Sequence, residues 1–207
     1  MRKFAALAAL ALAACQQPAA ERDAPARAAT STAAPSQTPA TSAPPRAAST
    51  VAPSQVRHAI VDARGLAIGR NPGTATYFAF GTPRAAVEKA GDAWLGKGER
   101  SANGECGAGP MEFTRYGELT LNYLDKRLTG WFLKAEPQAV TSDGIRPGAR
   151  LRDLRITRSV SIEEGSTLDG EFEYLAADGH PIRGFLKGEG RDRTVESLYA
   201  GTNCFFR

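Results

Sequence analysis

Few side chains in this 207-residue chain are of kinds that do chemistry, and their spacing limits what they can do. There are three thiols, Cys15, Cys106 and Cys204, and two imidazoles, His58 and His180. Cys106 sits in Gly104-Glu105-Cys106-Gly107-Ala108-Gly109, where glycines would let a substrate approach closely. A small enzyme using Cys106 as a thiolate is therefore one reading. No basic partner for it is evident, because His58 and His180 are the only histidines. His180 lies in Asp178-Gly179-His180-Pro181, an expected exposed turn. Glu163-Glu164 and Glu171/Glu173 supply carboxylates. Glu171 and Glu173, two apart, fall on one strand face and are expected to meet solvent, with no general-acid partner identified. No His/Cys/carboxylate cluster has metal-ligand spacing, and no Gly-x-Ser-x-Gly elbow occurs. Gly65, Gly69 and Gly73, and Gly104, Gly107 and Gly109, both fail to open a helix after a strand, so no dinucleotide site is expected. The expected inventory of metals and cofactors is none, and of catalytic residues none.

The first thiol has a different setting. Residues 1–14 read MRKFAALAALALAA: two basic residues, then an uncharged run of 11. That run is far short of the ~20 residues that span a bilayer as helix. It fits the apolar part of a secretory signal. Leu12-Ala13-Ala14-Cys15 resembles the lipobox of bacterial lipoproteins. The resemblance implies diacylglyceryl thioether on Cys15, cleavage before it, and acylation of the new amine. More than one acyl chain gives stable anchoring, since one alone binds only marginally. Gln16 at the next position implies, by likeness to sorting in Gram-negative bacteria, the outer membrane, with the domain facing the periplasm.

Residues 15–54 then form the expected tether. Of positions 16–54, 13 are Ala, 7 Pro and 10 Ser or Thr, and Val51 is the one larger aliphatic. Such a segment cannot bury enough apolar surface to offset its ordering entropy. With Cys15 assigned to lipid, Cys106 and Cys204 remain, and export to an oxidising compartment makes their pairing the default.

Residues 55–207 are expected to be one globular domain. They hold 21 Lys plus Arg against 20 Asp plus Glu, so the formal +4 of the whole chain shrinks to about +1. No nucleic-acid footprint is present at that balance. One local run is basic: Arg146, Arg150, Arg152, Arg155 and Arg158 around Asp153. Arg150 and Arg152 head a candidate patch for anionic envelope polymers or lipid phosphates, gripped by guanidinium forks. The plainer reading is a solvated face alternating with Leu151, Leu154 and Ile156. Trp131 and Phe132 are candidate anchors for an envelope protein partner, or else core. The oligomeric state stays open.

The elements that must position these residues are short. Val56–Val61 and Leu66–Ile68 read as a hairpin, and Ala75–Phe80 as a strand. Thr82 suits an N-cap and Pro83 the first helical position, with Gly91 closing the helix. Gly96–Gly109 reads as loop. Met111–Tyr116, Leu119–Leu124 and Leu128–Lys134 make an antiparallel meander, with Leu119, Leu121 and Tyr123 on one face. A second short helix falls within 144–154. Glu171–Leu175, Ile182–Lys187 and Thr194–Ala200 follow as strands, and Thr202–Phe206 is expected to finish the sheet. Gly81 precedes Val87 by six residues, as Gly148 precedes Leu154. Leu128-Thr129-Gly130-Trp131 matches Ile182-Arg183-Gly184-Phe185 in character. The expected fold is α+β: an antiparallel sheet with two short helices, as a tandem helix-plus-meander repeat over 77–134 and 144–200.

That order of lipobox, tether and Gly-led helices feeding antiparallel strands resembles outer-membrane assembly lipoproteins of the SmpA/OmlA kind. The tandem version is similar in plan to the β-lactamase-inhibitor protein. Glu105-Cys106-Gly107-Ala108-Gly109-Pro110, Gly117-Glu118-Leu119-Thr120-Leu121 and Leu128-Thr129-Gly130-Trp131 resemble a group of small bacterial lipoproteins. Some members of that group carry the name aspartate-semialdehyde dehydrogenase. About 150 ordered residues without a nucleotide motif give that name no physical support. The reading is a lipid-anchored envelope protein acting as a non-enzymatic binding module.

Overall fold

The structure, a computed structural model, describes residues 58–205; the leader, Cys15 and the tether lie outside them. Two helices and twelve strands form an α+β fold with two sheets. β1 (Ala59–Asp62) and β2 (Gly65–Ile68) make the expected hairpin, and β3 (Thr76–Ala79) adds to it. β8 (Ala139–Thr141) pairs with β1 in parallel and completes a sheet of order β3-β2-β1-β8.

The larger sheet contains β4 (Glu99–Asn103), β5 (Met111–Tyr116), β6 (Leu119–Leu124) and β7 (Arg127–Leu133) from the first half. β9 (Val160–Ile162), β10 (Glu171–Leu175), β11 (Pro181–Lys187) and β12 (Thr194–Gly201) come from the second. Its order is β4-β5-β6-β7-β12-β11-β10-β9, antiparallel throughout. α1 (Arg84–Trp94) precedes the first four strands and α2 (Leu151–Thr157) the second four. β7 and β12 pair at the centre, so two meanders become one sheet. Each copy thus holds one strand more than the expected three. β4, Glu-Arg-Ser-Ala-Asn, has no apolar alternation because it is an exposed edge strand.

The helix starts are wired alike. Pro83 bridges Arg127 at the head of β7, and Arg150 bridges Thr194 at the head of β12. Arg84 N–H donates to Lys126 O at 2.8 Å and Leu151 N–H to Arg193 O at 2.9 Å. The paired glycine motifs do not share this equivalence. Gly130 lies on β7 but Gly184 on β11, and the counterpart of β7 is β12. The resemblance of those two strings reflects a shared strand chemistry, not matching places in the repeat.

α1 corrects two further expectations. Its N-cap is Pro83, one residue later than Thr82, whose hydroxyl donates to Ala79 O at 2.7 Å. Gly91 lies inside the helix rather than at its end. A Cβ there would stand 2.5 Å from the Tyr116 ring, so glycine is what lets α1 settle on β5.

One face of the larger sheet is the core face. Leu119, Leu121 and Tyr123 are buried on it as expected, with Trp131, Phe172 and Leu198. Val87 of α1, Leu151 and Leu154 of α2, and Val61 and Leu66 of the small sheet close over them in one cluster. The Trp131 indole N–H donates to Asp62 O at 2.7 Å, tying the two sheets together. Thr202–Phe205 does not extend the sheet. It turns over the opposite, outer face, held by Asn122, whose amide donates to Thr202 O at 3.2 Å. Cys204 there bonds Cys106, with sulfur atoms 2.11 Å apart and Cα atoms 5.1 Å apart.

Candidate functional site

The outer face follows from strand register. In an antiparallel sheet directly opposed residues share a face. One such row crosses all eight strands: Glu99, Arg115, Thr120, Phe132, Tyr199, Arg183, Glu173 and Ser161. The next row holds Ser197, Phe185 and Glu171. Helices and the small sheet cover the other face; over this one pass the segment 202–205 and, at one end, the turn 163–166. Phe205 stands edge-on to Tyr199 at 4.9 Å, to Phe185 at 5.3 Å and to Phe132 at 5.9 Å between ring centres. The arrangement is favourable because ring edges are positive and ring faces negative.

Beside this aromatic group lies an open cleft of about 470 Å³, lined by Glu163, Glu164, Ser166, Glu171, Tyr199 and Phe205 among others. The turn after β9 is docked by Glu163 N–H donating to Glu171 O at 3.0 Å. Glu171 departs from the expected solvated carboxylate: it is 5% exposed. It accepts hydrogen bonds from the Tyr199 and Ser166 hydroxyls. Both hydroxyls point their protons at it, so its oxygens are hydrogen-bonded despite burial. Glu173, on the same face, pairs with Arg183 at 2.8 Å. The cleft therefore presents Glu163, Glu164 and Glu171, and Arg183 of its lining is paired with Glu173. With an aromatic wall, this chemistry suits a cationic group: carboxylates take its charge and ring faces its apolar flank.

The sequence-derived site residues are scattered. Cys106 is bonded to Cys204, so thiolate chemistry at Cys106 would first require reducing that bond. Trp131 is 0% exposed on the core face and is not an accessible anchor. Phe132, its neighbour, points the other way and is half-buried under Phe205. Arg150 and Arg152 are exposed at α2, across the sheet from Phe132, and Arg152 lies 3.5 Å from Asp153. His58 hydrogen-bonds Gly69 O at 3.1 Å and stacks near Trp94. Glu171, Tyr199 and Phe205 escape sequence reasoning. Alternation puts Glu171 and Glu173 on one face, but the partners that set Glu171 apart, Ser166 on the turn after β9 and Tyr199 on β12, come from outside its strand.

A second polar cluster holds α1 to the sheet. Glu88 receives Arg84 at 2.8 Å, Arg100 at 3.2 Å and the Thr114 hydroxyl, while Arg100 also meets Asp92 at 2.8 Å. Burial alone would raise the Glu88 carboxyl; the Thr114, Arg84 and Arg100 donors outweigh it and hold it below its ordinary value. This cluster is saturated internally and reads as structure.

Among the described residues no group of three or more His, Cys, Asp or Glu is placed to hold a metal ion. No helix among them is long and apolar enough to cross a membrane. No family model, curated protein or solved structure matches the chain.

Proposed function

We propose that this chain is a lipid-anchored bacterial envelope lipoprotein, outer-membrane and periplasm-facing, that works as a non-enzymatic protein-binding module. The anchor is Cys15, and the partner presents a basic side chain to the Glu163/Glu164/Glu171 cleft. The observation that supports the binding reading is that cleft: a buried carboxylate accepting from Tyr199 and Ser166, beside aromatic rings, on the outer face of the larger sheet. The Leu12-Ala13-Ala14-Cys15 string supports the anchor.

Two measurements test it. Intact mass of the protein from its native host should carry acyl chains, and Cys15→Ala should release it from membranes; unchanged fractionation counts against the anchor. A short Lys/Arg-rich peptide titrated into the isotope-labelled chain should shift the amides of Glu171, Tyr199 and Phe205. Glu163→Gln with Glu164→Gln, both at exposed positions, should weaken that binding about tenfold while leaving the melting temperature unchanged. Equal shifts from a Glu-rich peptide, or none, would sink the cleft reading.

A further inference from the structure

We infer that the outward face of α2 docks the domain on an anionic lipid bilayer, with Ile156 entering the headgroup region between arginines. The inference rests on the anchored reading above and adds the orientation of the domain at that membrane. Leu151 and Leu154 turn inward, 6% and 2% exposed. Arg152 and Ile156, four apart, share the opposite side of the helix. Ile156 is 81% exposed, against 38–48% for the other exposed large hydrophobics. An isoleucine so placed gains only when something apolar covers it.

Its surroundings are basic. Arg150, Arg152 and Arg155 are exposed on α2 and its start. The adjoining segment brings Arg191 and Arg193, the latter backbone-bonded to Leu151. Asp153, Glu189 and Asp192 are the acidic groups on the same segments. Arg158 is excluded, because it is turned inward to Asp143 at 2.9 Å.

Charge complementarity selects an anionic surface, and the isoleucine selects which one. A soluble polyanion would neutralise the arginines and leave Ile156 in water. A bilayer interface satisfies both, since it offers phosphates outside and acyl chains a few ångströms deeper. An acyl chain on Cys15 would raise the local concentration of bilayer around the patch, so a weak patch suffices to orient the domain.

The test places an indole at the tip of the helix. Ile156→Trp is made together with Trp94→Phe in the full chain from its native host. The protein is reconstituted with phosphatidylcholine vesicles, either pure or containing about one-third phosphatidylglycerol. Acyl chains carrying bromine should quench the introduced indole at least about twofold more in the anionic vesicles. Arg152→Glu with Arg155→Glu should abolish that difference, as should high salt. Equal quenching in both lipids, no quenching, or a difference that survives the double charge reversal overturns the proposal. So does binding of polyphosphate at these arginines without any lipid quenching. Flotation with vesicles in high salt reports the acyl anchor and is blind to the patch, so the two readings fail separately. A chain found without acyl mass is assayed on the same vesicles by the same criteria.

Discussion

Gly81 and Gly148 occupy the same place in the two halves of the molecule. Their φ angles are +94° and +92°. Each donates its N–H at 2.7 Å to the strand that closes its own meander, Gly81 to Leu128 O and Gly148 to Val195 O. Space is not the constraint, since nothing lies within 4 Å of a Cβ at either position. Backbone conformation is, because positive φ strains any residue with a Cβ. Gly81→Ala and Gly148→Ala should each cost about 1–2 kcal/mol. The two sites lie in different halves, so the losses should add in urea unfolding. A large loss at one site and none at the other would break the equivalence of the halves.

The Cys106–Cys204 bond closes a loop with a sequence separation of 98. A cross-link of that span removes unfolded-chain entropy equivalent to about 4–5 kcal/mol. Unfolding in the presence of reductant should shift to lower urea by a corresponding amount. Cys106→Ala with Cys204→Ala should show the same low midpoint and no response to reductant. Identical midpoints with and without reductant in the parent chain would mean the bond contributes nothing.

Acid should loosen α1 first. Asp92 is held below its ordinary value chiefly by the Arg100 guanidinium, then by the Gly98 N–H, and Glu88 by Thr114, Arg84 and Arg100 against its burial. Unfolded carboxylates titrate near pH 4. A depressed folded value means stability that is present above the unfolded value and lost as pH falls towards the folded one. Unfolding free energy should therefore be level above about pH 6 and decline below about pH 5. Glu88→Gln should cost about 2 kcal/mol at neutral pH, with the gap to the parent narrowing as pH falls below the ordinary carboxylate range. A gap that stays constant with pH would show that Glu88 acts by packing alone.

How far the sequence reaches can be judged from particular strands. β5, β6 and β7 are legible because each alternates apolar and polar residues and each is bounded by turn chemistry. Asp125 and Lys126, both with positive φ, make the two-residue turn between β6 and β7. β4 and β8 are not legible. The first is an exposed edge, and the second, Ala-Val-Thr, is buried throughout on three residues. Of the site, the aromatic content of β7 and β11 is legible, yet the faces are not: Trp131 and Phe132 look alike in sequence and lie on opposite sides of the sheet. Glu171 accepts from the Tyr199 hydroxyl 28 positions further on, a tertiary relation that no local pattern carries.

The two tryptophans should report these environments separately. Trp131 is wholly buried, and Trp94 is 38% exposed beneath Arg70, whose guanidinium lies 5.7 Å from its ring. Iodide should quench a fraction of the emission that Trp94→Phe removes, leaving a blue-shifted, unquenched remainder. Trp131→Ala should cost about 3–5 kcal/mol through the cavity it leaves. Accessible emission persisting in Trp94→Phe would place Trp131 at the surface and restore it as an anchor.

Asp143 is the hub for the second half as Glu88 is for the first. Its side chain is 1% exposed and pairs with Arg158 at 2.9 Å, at the end of α2. The Thr141 hydroxyl donates to it at 2.6 Å and the Tyr174 hydroxyl at 3.3 Å. It therefore joins β8 of the small sheet, β10 of the large sheet and α2. Removing one member of such a pair is costly because the other keeps its charge without its partner. Asp143→Ala should destabilise by about 3–5 kcal/mol. Asp143→Asn, which keeps an acceptor for the two hydroxyls, should lose about half as much. Replacing both partners, Asp143→Leu with Arg158→Met, should recover part of the loss, since an apolar pair of similar volume leaves no buried charge behind. Equal costs for Ala and Asn would locate the effect in packing rather than in the hydrogen-bonded carboxylate, and the double variant distinguishes the cost of a stranded guanidinium from the worth of the pair.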